Sequence, residues 1–317
     1  MAANPFFTEV NVAQSQRKLT HSDKILMLGS CFTDEIGNKF AIHGFDTHRN
    51  PFGTIYNPVS LAHLITKAAD KELFTSSEVI QSGEFFYLFS AHGDIRGTTA
   101  GECLQNANTT LLQTAEYLRQ ATVIILTFGT AWSYWYKPNN LLMANCHKIP
   151  QQLILRRMFS VGEIERSLHD MICCVQEKIN PQINFIFTVS PVRHIKEGMR
   201  DNNLSKSALH LAVQSIVERE KNCQYFPSYE IVTDELRDYR FYAKDMVHLS
   251  ETAVDYVWQK FSESYFDVKE CLLNDKYFKL FQMKSHRPFN PSSDGYQKHL
   301  LKIQELEQEL QQIHSAR

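Results

Sequence analysis

A serine, an aspartate and a histidine occur in this sequence in an order and spacing that would suit a nucleophile, an orienting carboxylate and a general base. Ser30 stands in "LGSCFTD", directly after the apolar run "KILML", and Asp245 and His248 stand three residues apart in "DMVH". A serine between a strand and a helix is presented outward, beside free backbone N–H groups. Its hydroxyl needs a base. His248 can be that base while Asp245 orients its ring. This order of residues predicts a serine hydrolase.

Each of these residues also has a plainer interpretation. Ser30 could cap a helix, and His248 could be a surface or helix-capping histidine. Asp245 could cap the helix that follows, although Ser250 is the better N-cap there. Cys31 is a second candidate nucleophile because a helix N-terminus lowers the pKa of a thiol, although such a cysteine more often packs in the core. The spacing of the three residues favours the catalytic interpretation.

Strand and helix patterns alternate along the chain. Strands are predicted at 24–28, 45–50, 123–128, 184–189 and 229–233, with helical patterns between them. Three of these strands are nearly continuous apolar runs, as expected where helices cover both faces of a sheet. The alternation predicts an α/β fold of three layers, with a doubly wound, parallel, five-stranded sheet.

Polar side chains follow every predicted strand, and ligands bind beyond the carboxyl ends of parallel strands. The candidate substrate-binding residues there are Asn57, Thr130, Asn145, His147, Arg193 and His194. Arg193 could clamp a carboxylate or phosphate of the substrate, or pair with a nearby carboxylate. The histidines lack the HxxxH or HExxH spacing of a metal site. We therefore expect no metal and no other cofactor.

Six segments together resemble the GSCFA-domain family, which is related to the SGNH, or GDSL-type, esterases. They are "LMLGSCFTDEIG", "NPFGTIYNP", "LTFGTAWSYW", "NCHKIP", "FTVSPVRH" and "FYAKDMVHLS", spread from about residue 22 to 265. The resemblance implies a flavodoxin-like SGNH hydrolase fold. It implies Ser30 as the nucleophile, and Asp245 and His248 as the final Asp-x-x-His block. Gly53 corresponds to the oxyanion-hole glycine, beside the N–H groups of Ser30 or Cys31.

The sequence departs from that pattern at two positions. Thr33 stands where the family name has alanine, a tolerable change at a helix start. The third block of the superfamily usually has an asparagine two residues after its glycine, and Ala131 stands there. Asn57, Asn145 or His147 could supply the missing oxyanion donor. The change also leaves room for a transferase or an unusual ester.

Composition and charge exclude several classes of protein. The 317 residues are 43% hydrophobic and carry a formal net charge of −2, which argues against nucleic-acid binding. No apolar run approaches the ~20 residues of a membrane span. The N-terminus lacks the plan of a secretory signal, and the seven cysteines show no CxxC pair. A cytoplasmic location fits these features best.

The main domain is expected over residues 1–285. Aromatic alternation within 72–107 predicts a small β insertion, and 286–295 reads as a Pro/Ser/Gly linker. The linker opens the C-terminal segment 286–317. A heptad-like spacing of apolar residues in its tail predicts an amphipathic helix, and these residues are Ile303, Leu306, Leu310 and Ile313. This helix either packs on its own domain or forms a homodimer contact.

Together these features predict an esterase that removes a small acyl group from a carbohydrate or a similar polar molecule. Two alternatives stay open. The first is a non-catalytic protein on the same fold that binds a sugar or acidic metabolite through Arg193, His194 and Asn145. The second is an acyltransferase, which a closed, dry pocket would favour.

Overall fold

A five-stranded parallel sheet forms the centre of the protein. The computed structural model describes residues 8–315, apart from the side chains of residues 197, 314 and 315. Its strands are β1 (Lys24–Gly29), β2 (Asp46–Arg49), β3 (Val79–Ser82), β4 (Phe85–Leu88), β5 (Arg96–Gly97), β6 (Val123–Phe128), β7 (Trp132–Tyr136), β8 (Leu141–Met143), β9 (Ile154–Met158), β10 (Asn184–Val189) and β11 (Cys223–Tyr225). The parallel sheet has the order β11-β10-β6-β1-β2. Numbered along the chain within the sheet, this is 2-1-3-4-5, an order found in doubly wound sheets.

Helices cover both faces of the sheet. They are α1 (Cys31–Ile42), α2 (Pro58–Asp70), α3 (Ala100–Leu118), α4 (Val161–Lys178), α5 (Met199–Arg219), α6 (Ser228–Glu230), α7 (Glu251–Tyr265), α8 (Val268–Ser285) and α9 (Asp294–Ser315). The side chains of β1 alternate between two cores. Leu26 and Leu28 pack with α2 to α5 on one face, whereas Ile25 and Met27 pack with α1 and α7 on the other. The predicted three-layer α/β architecture is therefore confirmed.

The prediction of the fifth strand is wrong. Residues 229–233 lie in α6 and the π-helical turn Ile231–Leu236 that continues it, and the fifth strand is β11. The β-branched residues Ile231 and Val232 suggested a strand, but they are buried in the core beside α1 and α7. That packing overrides the local propensity. The other four predicted strands agree with β1, β2, β6 and β10.

Two small antiparallel sheets lie outside the central sheet. Strands β3, β4 and β5 form one, in the order β3-β4-β5, within the predicted insertion. The insertion is shorter than 72–107, because α3 begins at Ala100. Strands β8, β7 and β9 form the other, which the sequence did not predict. Its aromatic run Trp132–Tyr136 makes the central strand of that sheet.

The C-terminal helix packs against its own chain. Lys276 and Lys284 of α8 form ion pairs with Glu309 and Glu307 of α9, at 2.6 and 2.5 Å. Leu310 is buried. The homodimer contact stays a prediction. Among the helices of residues 8–315, none combines the length and the apolar character that crossing a bilayer requires.

Candidate functional site

Ser30 lies where β1 ends and α1 begins, at the carboxyl edge of the sheet. A Cβ atom at Gly29 would stand 2.3 Å from the carbonyl oxygen of Thr127, so glycine lets the ends of β1 and β6 approach closely. Ser30 then packs beside Gly129, where an added Cβ would lie 3.5 Å from that of Ser30. The same Cβ would lie 3.0 Å from the ring of Tyr56. Ser30 thus sits in a narrow space between two strand ends.

The hydroxyl of Ser30 is buried and makes no hydrogen bond within the described residues. The residue is 1% exposed, and among the described residues its Oγ has no hydrogen-bond partner. It stands at the N-cap position of α1 but makes no capping hydrogen bond, so the capping interpretation is not what the structure shows. A buried hydroxyl without a partner costs about 1–3 kcal/mol. Such a group calls for an explanation, and a catalytic role is one.

Asp245 and His248 form a hydrogen-bonded pair. Nδ1 of His248 lies 2.6 Å from Oδ2 of Asp245, and the backbone N–H of His248 donates to Oδ1 at 3.0 Å. The bond from His248, followed by the N–H groups of Val247 and His248, lowers the pKa of Asp245 to about 2. An ionised carboxylate only accepts hydrogen bonds, so Nδ1 carries the hydrogen and Nε2 is left to accept a proton.

The pair reaches the same edge of the sheet as Ser30. At the end of α7, the carbonyl of Tyr265 accepts from the N–H of Leu19 at 2.8 Å, and Leu19 precedes β1. Helix α7 therefore ends near the amino edge and begins near the carboxyl edge, as α1 does. Both helices pack on one face of the sheet. Ser30 precedes one of them directly, and His248 precedes the other by three residues.

Ser30 and His248 are not hydrogen-bonded to each other. The Ser30 Oγ is shielded, whereas the side chains of His248 and Asp245 are 53% and 50% exposed. A substrate would reach the hydroxyl only after the side chains above it move. The structure thus joins two of the three predicted catalytic residues and brings the third to the same edge.

Two of the three predicted oxyanion donors are engaged within the protein. The N–H of Ser30 donates to the carbonyl of Thr127 at 3.1 Å, and the N–H of Gly53 donates to that of Asn50 at 2.7 Å. Cys31 is the first residue of α1, where no helical carbonyl reaches the N–H. Its amide, at the positive end of the helix dipole, interacts with the residue's own thiol rather than with a carbonyl, and it is the predicted donor that is left.

The thiol of Cys31 does not have the character of an activated nucleophile. Burial is the largest effect on it and raises its pKa; the backbone N–H groups of Phe32 and Cys31 oppose this, the carboxylates of Asp34 and Glu35 add to it, and the net shift is upward. A neutral thiol reacts poorly, because the thiolate is the nucleophilic form. Ser30 is therefore the better candidate of the two.

Two predicted substrate-binding residues hold loops together in this structure. Asn57 caps α2, accepting from the N–H of Ser60 at 2.8 Å and donating to the Ser60 Oγ at 3.0 Å. The hydroxyl of Thr130 lies 3.0 Å from the Oγ of Ser205 and accepts from the N–H of Trp132 at 3.1 Å. Each side chain already has structural partners.

The loop that follows β10 carries two further candidates, Arg193 and His194. The ring of His194 lies 5.9 Å from that of Tyr56, which packs against Gly129 beside Ser30. The guanidinium of Arg193 lies 4.8 Å from the ring of Tyr242. It lines a cavity of about 200 Å³. His194 is therefore the more direct candidate for contact with a substrate at Ser30.

His147 belongs to the small sheets. It is buried and stacks on Tyr87 of β4, with 5.1 Å between the ring centres, and burial lowers its pKa to about 4. Asn145 lies two residues away in the same loop. Within residues 8–315, no group of three or more His, Cys, Asp or Glu side chains is arranged to hold a metal ion.

Helix α5 contributes residues that the sequence did not reveal. Ser205 accepts from the N–H of Ala131 at 2.7 Å, and Lys206 donates to the carbonyl of Ser190 at 2.6 Å. Lys206 is 2% exposed, and burial lowers its pKa to about 7. The available signal was its spacing: Lys206 shares the buried stripe of α5 with Leu209 and Val213.

The family follows from comparison with known proteins. No curated protein matches the chain. The model of the GSCFA family matches residues 24–261, a range that holds all five strands of the parallel sheet and both candidate segments, at Ser30 and at Asp245 to His248. The chain belongs to the GSCFA family.

Proposed function

We propose that this protein is a serine hydrolase that cleaves an ester. One arrangement supports the proposal: a hydrogen-bonded Asp245–His248 pair precedes α7, and Ser30, which precedes α1 on the same face of the sheet, keeps a buried hydroxyl that has no partner among the described residues. The strand order 2-1-3-4-5 is consistent with a flavodoxin-like fold of the SGNH type. The substrate class we favour is a small acyl group on a carbohydrate or similar polar alcohol.

The reaction would proceed in two halves. Oγ of Ser30 attacks the acyl carbon while Nε2 of His248 takes the hydroxyl proton, and Asp245 stabilises the imidazolium through Nδ1. The N–H of Cys31 holds the negative oxygen of the tetrahedral intermediate. The bond to the alcohol then breaks, and His248 returns its proton to the leaving oxygen. Water repeats these steps on the acyl-serine and releases the acid.

This mechanism requires two conformational changes. His248 has to move from its half-exposed position to hydrogen-bond distance of the Ser30 Oγ, and the side chains that bury Ser30 have to open for the substrate. Loops at active sites commonly open to admit a substrate and close once it is bound. A closed site also excludes water, which favours acyl transfer to another acceptor. Product analysis with and without added alcohols separates the two outcomes.

The test is turnover of short acyl esters, including 4-nitrophenyl acetate, by wild type, Ser30→Ala and Ser90→Ala. Ser90 is a matched control because its Oγ is also buried and has no hydrogen-bond partner among residues 8–315, while Ser90 follows β4 in a small sheet. We expect Ser30→Ala to remove turnover and Ser90→Ala to retain it. Equal rates in all three proteins would contradict the proposal.

A second candidate function is the binding of a ligand without chemistry. The observation that favours it is the missing hydrogen bond between Ser30 and His248. A binding protein would hold a sugar or acidic metabolite through Arg193 and His194, and Ser30→Ala would leave its affinity unchanged. Esters would then bind without being cleaved.

A further inference from the structure

Lys206 differs from the other buried lysines of the structure. Within residues 8–315 three lysines are buried: Lys67, Lys206 and Lys260. Lys67 pairs with Glu72 at 2.8 Å, and Lys260 pairs with Glu9 at 2.6 Å. No carboxylate of the described residues lies within ion-pair distance of Lys206. Its one hydrogen bond goes to a neutral carbonyl, that of Ser190.

An ammonium group in this position is costly to bury. A buried cation without a counter-ion loses its hydration and gains little in return. The group has three donors, and the Ser190 carbonyl accepts one of them. A methionine of similar length would fill the same space without that cost. The position is therefore suited to an anion that arrives from outside the protein.

Lys206 lies at the edge of the sheet that also holds Ser30. Ser190 directly follows β10, and β6 separates β10 from β1. The thiol of Cys31, next to Ser30, is close enough to act on the charge of Lys206. Two strand spacings amount to roughly 10 Å, so the Ser190 carbonyl that holds the ammonium is separated from Ser30 by about that distance along the edge. At this separation the ammonium can contact a part of the same small molecule other than the reacting carbonyl.

We propose that Lys206 binds an anionic group of the substrate, a carboxylate or a phosphate carried several ångströms from the scissile ester. The inference rests on the proposed function, since it takes Ser30 to mark where the ester lies. It narrows the substrate from polar esters in general to esters that carry a negative charge.

The electrostatic surroundings of Lys206 agree with this role. Burial lowers its pKa to about 7, so a bound anion would be what keeps it charged at neutral pH. The titratable groups that face it are Cys31 on α1, His210 on its own helix and Tyr229 on α6. The carboxylate beside these groups is Glu230, which lies 3.6 Å from Nδ1 of His210 and accepts from the Tyr225 hydroxyl at 2.8 Å. It forms no ion pair with Lys206, so it does not replace the anion.

The test measures binding of inorganic phosphate and of succinate by titration calorimetry at pH 6.5. We expect wild type, Ser30→Ala and Lys206→Arg to bind at least one of the two anions. Lys206→Met should bind it at least tenfold more weakly. Binding of phosphate alone or of succinate alone supports the proposal and identifies the anionic group. Equal affinity in Lys206→Met and wild type, or no binding of either anion by wild type, overturns it.

A second measurement separates this inference from the proposed function. Turnover of the mono-4-nitrophenyl ester of succinic acid, which is anionic, is compared with that of neutral 4-nitrophenyl acetate. Lys206→Met should lose at least tenfold in kcat/KM on the anionic ester and little on the neutral one. An equal loss on both esters overturns the anion-binding role. If neither ester is cleaved by wild type, the hydrolase proposal fails, and the calorimetry still decides on Lys206.

Discussion

Asp245 holds His248 at two points, through its Oδ2 at 2.6 Å from the ring Nδ1 and its Oδ1 at 3.0 Å from the backbone nitrogen. The residues stand three apart, so the local turn forms the pair without help from distant packing. The turn directs the free Nε2 away from Asp245. In the proposed reaction, this is the atom that receives the proton of Ser30.

Asp245→Asn should slow the reaction without unfolding the protein. The amide cannot stabilise an imidazolium and can favour the wrong tautomer of His248, so we expect kcat to fall by roughly 10²- to 10⁴-fold. Asp245 is exposed, so the melting temperature should change little. Asp238→Asn is the control, because Asp238 pairs with Arg240 in the same loop. If both variants keep wild-type turnover, Asp245 has no orienting role.

Ser205→Ala should destabilise the loop beside Ser30. The substitution leaves the buried N–H of Ala131 without its acceptor, which costs about 1–3 kcal/mol in the free energy of unfolding. Urea denaturation measures this loss. Ser207→Ala is the comparison, since the exposed Ser207 bonds only to the carbonyl of Asn203 on its own helix. Identical midpoints for the two variants would show that the Ser205 contact is dispensable.

Gly53→Ala should be more damaging than Gly83→Ala. Both glycines have positive φ, 74° and 62°, so an alanine is strained at either position. At Gly53 the new Cβ would also stand 2.3 Å from that of His92, whereas at Gly83 it meets nothing within 4 Å. We expect about 1 kcal/mol lost at Gly83 from strain and several times that at Gly53. Thermal unfolding of the two variants gives the comparison, and a smaller loss at Gly53 would contradict the contact.

The titration of Lys206 should appear in the pH dependence of stability. Its pKa falls from the ordinary 10.5 to about 7 on folding. Between these values the unfolded chain binds a proton that the folded chain does not, so this group makes stability rise with pH. Lys206→Met lacks that contribution and should be the more stable protein below pH 7.

The advantage of Lys206→Met should then shrink from pH 7 to pH 10, by at most about 1.4 kcal/mol per pH unit. Urea denaturation of both proteins at pH 6, 8 and 9.5 checks this. Parallel stability curves would mean that Lys206 keeps its ordinary pKa in the folded protein.

The sequence predicted the inner strands of the parallel sheet better than its edge strand β11 and the small antiparallel sheets. Strands β6 and β10 match their predicted bounds because both faces are buried, which produces unbroken apolar runs. Strand β11 has only three residues, "CQY", too few for a pattern to emerge. The neighbouring β-branched segment was mistaken for it. Two further features escaped prediction: the small sheet around β7, and α3 beginning inside the expected insertion.

In the candidate site too, contacts between residues close in sequence were predictable and long-range contacts were not. The Asp245–His248 pair is local in sequence, so spacing alone could suggest it. The hydrogen bond from the Ser30 amide to Thr127 joins strands about a hundred residues apart, and Lys206 reaches the site from another helix. The hydrogen bond has no local signature, and the spacing of Lys206 in the apolar stripe of α5 indicates burial but not which strand end its side chain reaches. Tertiary packing determines which backbone N–H groups already donate within the protein and which buried lysine has no counter-ion among the described residues.

The most direct test of the account is covalent labelling by a fluorophosphonate probe, followed by mass spectrometry of the labelled peptide. The probe reacts with an activated serine and does not depend on knowing the natural ester. We expect wild type to be labelled at Ser30, His248→Gln to be labelled much more slowly, and Ser30→Ala to show only background. Labelling of wild type that does not exceed that of Ser30→Ala would contradict the claim that Ser30 is a catalytic nucleophile.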